Sequence, residues 1–233
     1  MLEGGQRFVA LLPMKAHSER VPGKNFRPLA GKPLFRWMLD RLLSLEQVDQ
    51  VIINTDARAE LRAVGLVEDG RVVIRDRAPE LCGDLVSMNL IIENDLRHVP
   101  ADVFLMTHTT NPMLGEATLR AAIDAYLQGR AAGRCDSLFS VTRHQTRFWR
   151  ADGSAVNHDP DVLMRTQDLE PWFEENSNLY LFTARSFGAR RARIGRHPLL
   201  FETPKIESID IDTQDEWRIA EALLRAGFTG ESR

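Results

Sequence analysis

The sequence predicts an α/β fold with a mostly parallel, doubly wound sheet and helices on both faces. Short apolar runs of strand length alternate with segments of helical periodicity through residue 127, and polar turn residues separate them. The 233 residues, 43% of them apolar, also suffice for a sizeable core, and residues 1–233 are read as one domain.

Residues 8–12 form the first apolar run, a length that suits a buried strand better than a helix. In Ala30-Gly-Lys-Pro33 the glycine is expected to make a turn and Pro33 to start a helix. A phosphate-binding P-loop is excluded there, because Phe26 and Pro33 occupy positions that need Gly and Ser/Thr. Leu34, Trp37, Met38, Leu42 and Leu43 then fall at helical spacing. Val51-Ile-Ile-Asn-Thr-Asp56 reads as a strand; Asp56 is expected to cap the next helix, a place facing the site being the alternative. Residues 71–74 read as a third strand. Asp84, a candidate N-cap, precedes a helix through Met88, Leu90, Ile91 and Leu96. Residues 103–106 form another buried strand, which runs into the polar turn Thr107-His-Thr-Thr-Asn-Pro112; a helix over 116–127 and a fifth strand over 137–141 follow.

Over residues 143–175 the periodicity is poor, and arginines (Arg143, Arg147, Arg150, Arg165) mix with Phe148, Trp149, Trp172 and Phe173. A structureless loop of that length is rare inside a compact domain. The region is therefore read as an inserted arm whose aromatics and arginines suit a subunit interface, a mobile surface insertion being the alternative. Residues 179–182 return to strand. The closing helix carries Trp217, Ala220, Leu223 and Leu224, opens on the capping-box pattern Thr213-x-x-Glu216 and ends at Gly227.

Composition narrows the function. A formal net charge of −3, without a long basic block, points away from nucleic acid and from a membrane surface. Two distant cysteines, Cys82 and Cys135, without a CxxC pair, indicate neither a zinc site nor a disulfide framework. No apolar leader or membrane-length run occurs, and the expected location is the cytoplasm.

Two stretches carry chemistry. The strand-to-helix loop after residue 12 holds Lys15, Arg20 and Lys24, stiffened by Pro13, Pro22 and Gly23. A loop beyond the carboxyl end of a strand, with cations and free backbone N–H groups, suits a polyphosphate; an ordinary charged surface loop explains it equally well taken alone. Near the end, Ser208-Ile-Asp-Ile-Asp-Thr213 reads as a strand in which Ile209 and Ile211 enter the core and Asp210 and Asp212 share the other face. Two such carboxylates suit Mg²⁺ with substrate phosphates as further ligands, or they decorate a strand end and help cap the helix. Together the stretches supply charge for a polyphosphate and a hard-metal site, the parts that phosphoryl and nucleotidyl transfer require. No protein nucleophile stands out, so direct displacement by a substrate oxygen is the economical mechanism.

Leu12-Pro-Met-Lys-Ala-His-Ser-Glu-Arg-Val-Pro-Gly-Lys-Asn25, followed by Leu29-Ala-Gly-Lys-Pro-Leu34, resembles the signature of the acylneuraminate cytidylyltransferase (CMP-sialic acid synthetase) family. Further echoes lie at Asn54-Thr-Asp56, Arg77-Ala-Pro-Glu-Leu81 with Asp84, Asn111-Pro112, Asp136-Ser137 with Ser140-Val141, Asn176 to Tyr180, and Ser208 to Asp212. A related family that activates 3-deoxy-manno-octulosonate has Lys-Pro where this chain has Lys24-Asn25, and a Gln-Gly-Asp motif absent here, so the neuraminate branch is the closer match.

The resemblance implies a Rossmann-like nucleotidyltransferase sheet with a dimerisation arm over 143–175, hence a homodimer. It implies attack by the anomeric hydroxyl of a 2-keto sugar acid on the α-phosphate of CTP, giving CMP-sugar and pyrophosphate with Mg²⁺. By motif position, Lys15, Ser18, Lys24 and Asn25 would contact the nucleotide phosphates, and Arg77 and the segment through Ser87 would form the cytosine pocket. Asp210 and Asp212 would hold Mg²⁺ and, with Lys24, act in catalysis; His108, Arg165 and Asn176 would face the sugar, Arg165 reaching from the arm into the neighbouring subunit's site. Departures cluster where the acid is expected. Lys15 stands where Arg is usual, Glu19 and Arg20 replace a smaller or cationic pair, Leu114 replaces an Arg, and Ser177-Asn178 replaces Gly-Ala. The acceptor is accordingly read as a sialic-acid-like nonulosonate, modified ones such as legionaminate- or pseudaminate-like acids included, with a smaller acid or a phosphonate as alternatives. A catalytically idle nucleotide-binding relative is the rival from another class.

Overall fold

A computed structural model describes residues 5–228. Strand β1 (Phe8–Leu11) leads through the basic loop to a hairpin of β2 (Pro28–Leu29) and β3 (Lys32–Pro33). Ala30 and Gly31, with φ of 47° and 99°, turn that hairpin, as a two-residue turn with consecutive left-handed residues does. Then follow α1 (Leu34–Ser44), β4 (Gln50–Thr55), α2 (Arg58–Ala63), β5 (Val72–Asp76), α3 (Met88–His98) and β6 (Val103–Thr107). The chain continues as α4 (Glu116–Ala131), β7 (Ser137–His144), β8 (Trp172–Phe182), α5 (Ala184–Gly188), β9 (Pro198–Glu202) and α6 (Gln214–Arg225).

Seven strands form one sheet in the order β5-β4-β1-β6-β8-β7-β9, with β8 antiparallel to both neighbours and the other pairings parallel. Side chains alternate across β1. Phe8 and Ala10 join Phe35 and Met38 of α1, Leu61 of α2 and Ile123 of α4 on one face. Val9 and Leu11 join Ile92 of α3 and Phe187 of α5 on the other. Helices therefore cover both faces, as the alternation predicts. Among the described residues, no helix is long and apolar enough to cross a membrane.

A third apolar cluster decides where the chemistry lies. Val21 of the basic loop, Leu29 of the hairpin, Met113, Ile211 and Trp217 of α6 are all buried together. Burying each large side chain contributes about 1.5–3 kcal/mol, so one core holds the beginning and the end of the chain against each other. β1 lies between β4 and β6, and the chain leaves it toward one and later returns to the other. The loops at the carboxyl ends of β1 and β6 part at this switch point, where open α/β sheets bind ligands.

Several expectations need correction. Residues 209–212 are not a strand; they are an extended segment tied to the rest through Ile211 N–H donating to Thr110 O at 2.9 Å. Pro33 is the N-cap of α1 and not its first helical residue. Neither Asp56 nor Asp84 caps a helix: the N-cap positions of α2 and α3 belong to Ala57 and Ser87. The arm is better ordered than its sequence suggests. β7 and β8 continue past the sheet as a two-stranded ribbon, pairing Arg143 with Phe173 and His144 with Trp172. Phe148 stacks on Trp172 at 5.4 Å between centroids, and Trp149 meets His158 edge-on at 4.8 Å.

Candidate active site

The basic loop keeps its shape through its own backbone. Its first residues run on alongside β4, with Leu12 N–H donating to Ile52 O at 2.8 Å and Met14 N–H to Asn54 O at 3.1 Å. Ala16 N–H donates to Asp56 Oδ1 at 2.7 Å, which is the role of Asp56. Gly23, at φ 63°, follows Pro22 in a turn closed by Lys24 N–H on Val21 O at 3.1 Å; proline then glycine in the left-handed region is the type II arrangement. This turn delivers Lys24.

Lys24 reaches the acidic segment. Its Nζ donates to Ile211 O at 2.6 Å and to Asp212 Oδ1 at 3.2 Å. An Arg20 nitrogen approaches Asp212 Oδ2 at 2.9 Å. The motifs from the two ends of the chain thus meet across one cleft. Asp212 is held from below: its N–H and that of Thr213 donate to Glu216 Oε2 at 2.8 and 2.7 Å, the capping box expected at the start of α6. Asp210 lies beside Thr110, its Oδ1 buried without a partner. Burial pushes its carboxyl above the usual range and the nearby Asp212 charge pushes the same way, while the Thr110 hydrogen bond opposes both.

The cleft has a volume of about 400 Å³. Lys15, Ser18, Lys24, Asn25, Arg77, His108 and Asp212, all singled out in the sequence, line it. Some of these side chains also build the wall, spending part of their hydrogen-bonding capacity on it. Asn25 donates to Lys15 O at 2.8 Å and accepts from the Thr109 hydroxyl at 2.7 Å, joining the loops after β1 and β6. Arg77 is buried, donating to Asn54 Oδ1 at 3.0 Å and to Met14 O and Asn54 O at 2.9 Å; burial lowers its pKa. Asn54 in turn donates to Asp95 at 2.8 Å. Burial raises the Asp95 carboxyl, opposed by Asn54 and by Arg75, which is 2.8 Å away. Lys15 pairs with Asp84 across the mouth, and that hydrogen bond holds the Asp84 carboxyl below its usual range. Half-buried His108 is pushed down to about 3, first by desolvation and then by the Arg193 and Lys24 charges, so its imidazole is neutral at ordinary pH.

Asp210, beside Thr110, is not among the cleft-lining residues, and three other proposed site residues stand elsewhere. Ser87 caps α3, accepting from Asn89 N–H at 3.3 Å, and sits between the cleft-lining Val86 and Met88. Asn176 is buried, its amide occupied by Ser140, Thr142, Thr203 and Ser208, so it staples β8 to β7 and the chain after β9 instead of facing the cleft. Arg165 is exposed on the arm and paired with Asp168 at 2.7 Å. Two departures from the family pattern also lie away from the cleft wall: Leu114 is core beneath the sheet, and Asn178 is buried against Glu207 O at 2.9 Å. Sequence reading missed Arg193, whose guanidinium lies 3.5 Å from His108 Nε2. Its only signal was a basic run, Arg190 to Arg193, without periodicity.

Comparison with known proteins identifies the family. Residues 9–221 match the family model described as cytidylyltransferase. CMP-N,N'-diacetyllegionaminic acid synthase of Legionella pneumophila is 28% identical, over 94% of this chain and 96% of that protein. N-acylneuraminate cytidylyltransferase A of Danio rerio is also 28% identical over 96% of this chain, which spans only 52% of that longer protein. Pseudaminic acid cytidylyltransferase of Campylobacter jejuni (serotype O:2) is 23% identical over 93% of this chain and 96% of its own length. A solved CMP:2-keto-3-deoxy-manno-octonic acid synthetase, complexed with CTP, shares the fold with a TM-score of 0.64 at 14% identity, covering 95% of this chain and 99% of that one. With the family model spanning the basic loop, the sheet and the acidic segment alike, the chain belongs to the cytidylyltransferase family.

Proposed function

We propose that the protein transfers CMP from CTP to the anomeric hydroxyl of a 2-keto sugar acid of the nonulosonate type, in a Mg²⁺-dependent reaction. The observation that carries this reading is the meeting of Lys24 with Asp212 at the switch point of the sheet. Acids of this type are named for the Legionella, Danio and Campylobacter relatives. The acceptor oxygen forms a bond to the α-phosphorus, the bond to the bridging oxygen breaks, pyrophosphate leaves with that electron pair, and the hydroxyl proton is lost.

The residues present fit Mg²⁺. Asp210 offers a buried oxygen without a partner, and Asp212 lies two residues on. Among the described residues no group of three or more His, Cys, Asp or Glu gathers to cage a metal. A pair of carboxylates suits an ion which takes one or two of them and completes its shell with phosphate oxygens and water. When bound, Mg²⁺ would offset triphosphate charge and favour departure of pyrophosphate. Lys24 is the compact cation that offsets charge developing on the transferring phosphate. Arg20 and Lys15, both in ion pairs across the cleft, exchange those carboxylates for phosphate oxygens.

CTP at a hundred times its Kd is expected to stabilise the protein by about 2.7 kcal/mol. That corresponds to a melting shift of roughly 5–10 °C for a chain of this size. ATP, GTP and UTP are expected to give less, and equal shifts with all four would count against a cytosine pocket. Pyrophosphate release with Mg²⁺ across a panel of 2-keto sugar acids, smaller acids and phosphonates identifies the acceptor class. CTP binding without release on any of them would favour an idle nucleotide-binding protein.

The arm is read as the dimerisation segment, carrying Arg165 toward a second copy. Leu163, Trp172 and Phe173 are 89%, 40% and 46% exposed there, and apolar side chains exposed together suit an interface. Sedimentation is expected to show a dimer that the pair Leu163→Glu with Phe173→Glu converts to monomer; a monomeric wild type would end the idea.

A further inference from the structure

Next to His108, against β8, which flanks β6 on the side away from β1, lies a cluster that the phosphate chemistry does not use. Arg193 comes from the connection between α5 and β9. Its guanidinium carbon sits 3.8 Å from the centroid of the Tyr180 ring, and one terminal nitrogen donates to Glu175 Oε1 at 3.2 Å. The other terminal nitrogen lies 3.5 Å from His108 Nε2 and 3.8 Å from Met106 Sδ. Its backbone N–H is fixed by Asn89 Oδ1 at 3.3 Å. The side chain is 19% exposed, and its Nε makes no hydrogen bond to the described residues. A guanidinium stacked on a ring and steered by a carboxylate is pre-organised, with donors left over for a planar anion.

The residues around it complete a polar patch. Ser177 adopts φ 58° within β8, the left-handed region that a non-glycine residue rarely takes. It falls in the bulge where β8, between Glu175 and Tyr180, runs past Ser140 of β7, and bulges re-aim side chains. Here it places Ser177 Oγ 3.2 Å from the Tyr180 hydroxyl, which also donates to Glu175. Arg193, Glu175 and Ser177 thus form a patch of donors and acceptors sharing one wall, His108, with the nucleotide cleft.

We propose that Arg193 anchors the carboxylate of the acceptor acid, with Glu175 and Ser177 meeting neighbouring hydroxyl groups, and so sets specificity for an acid. This rests on the cytidylyl-transfer reading above. The second substrate would then lie against β8 beside His108, its charge met by a cation other than those that hold phosphate.

The test compares an acid with its uncharged form. N-acetylneuraminic, N,N'-diacetyllegionaminic and pseudaminic acids are each assayed beside the C1 methyl ester, in wild type, Arg193→Gln and Arg193→Lys. Wild type is expected to prefer the acid over its ester by roughly a hundredfold in kcat/KM, the scale of a charge-assisted paired hydrogen bond. Arg193→Gln is expected to lose that preference by raising the KM for the acid, with KM for CTP unchanged within about twofold. Arg193→Lys keeps the charge without the fork and is expected to fall between them. A merely structural role would instead move the CTP and acid constants together and equally for acid and ester, which overturns the assignment. Titrating the three acids in the presence of CTP without Mg²⁺ reads Arg193 apart from turnover. Equal affinities in wild type and Arg193→Gln overturn it, whereas absent CTP stabilisation of the wild type refutes the cytidylyl reading itself.

Discussion

Asp212→Ala is expected to lower CTP-dependent pyrophosphate release by about a thousandfold, the range reached when preorganised charge stabilisation is removed from a transferring group. The loss comes from the site and not from unfolding. The Asp212 side chain is 38% exposed and its partner Arg20 65% exposed, so that ion pair is screened and contributes little to stability, while its other partner, Lys24, keeps its bond to Ile211 O. The segment stays in place through Ile211, buried in the apolar cluster with Trp217 and bonded to Thr110 O. A melting temperature within a few degrees of wild type is therefore expected beside the lost turnover. Asp212→Asn keeps the shape and removes the charge, and is expected to be nearly as impaired, which separates charge from packing. Turnover unchanged in either variant would end the assignment of Asp212 as metal ligand, and raising the Mg²⁺ concentration should not restore it.

The placement of Asp212 also shows what the sequence made legible. The cationic turn and Asp212 meet in one cleft, and two independent patterns lead to that meeting. Strand–helix alternation implied a switch point, and Val21 and Ile211 are apolar residues inside otherwise polar motifs, each needing a core. The strand drawn through Asp210 and Asp212 failed because alternation in so short a stretch requires only that Ile211 be buried, and no ladder partner lies beside it beyond the one bond to Thr110. Helix α5 spans five residues, and β9 is an edge strand with half-buried residues, so neither carries a period long enough to read. The ribbon of the arm leaves the core, and with it the inside–outside alternation by which strands are recognised.

Site residues divide along the same line. Lys24 and Asp212 were legible because they bring charge to a place that needs charge. Asn25, Arg77 and Asn176 belong to motifs too, but their side chains also hold partners that lie far off in sequence. A motif marks that a residue is needed and leaves open whether it touches the ligand or holds the loop that does. Arg193 had no motif at all, and only the folded connection between α5 and β9 brings it to His108.

Lys24→Met carries the second large expected effect, a fall in kcat of roughly a hundred- to a thousandfold with a smaller change in KM for the acid. Methionine nearly matches the length of the lysine stem and suits its buried surroundings, the side chain being only 10% exposed. What disappears is the ammonium, and with it the bond to Ile211 O at 2.6 Å. Losing a hydrogen bond from a charged donor costs about 1.5–3 kcal/mol, enough to lower the melting temperature measurably without unfolding the protein. Lys24→Arg is not expected to rescue, because the longer planar guanidinium cannot occupy the point between Ile211 O and Asp212. The double variant Lys24→Met with Asp212→Asn decides whether the two act together. If both serve one transferring phosphate, the second substitution removes a partner already idle, and the double variant falls little below the worse single one. Losses that multiply would place them at separate steps, and a Lys24→Met enzyme within about threefold of wild type would remove Lys24 from the chemistry altogether.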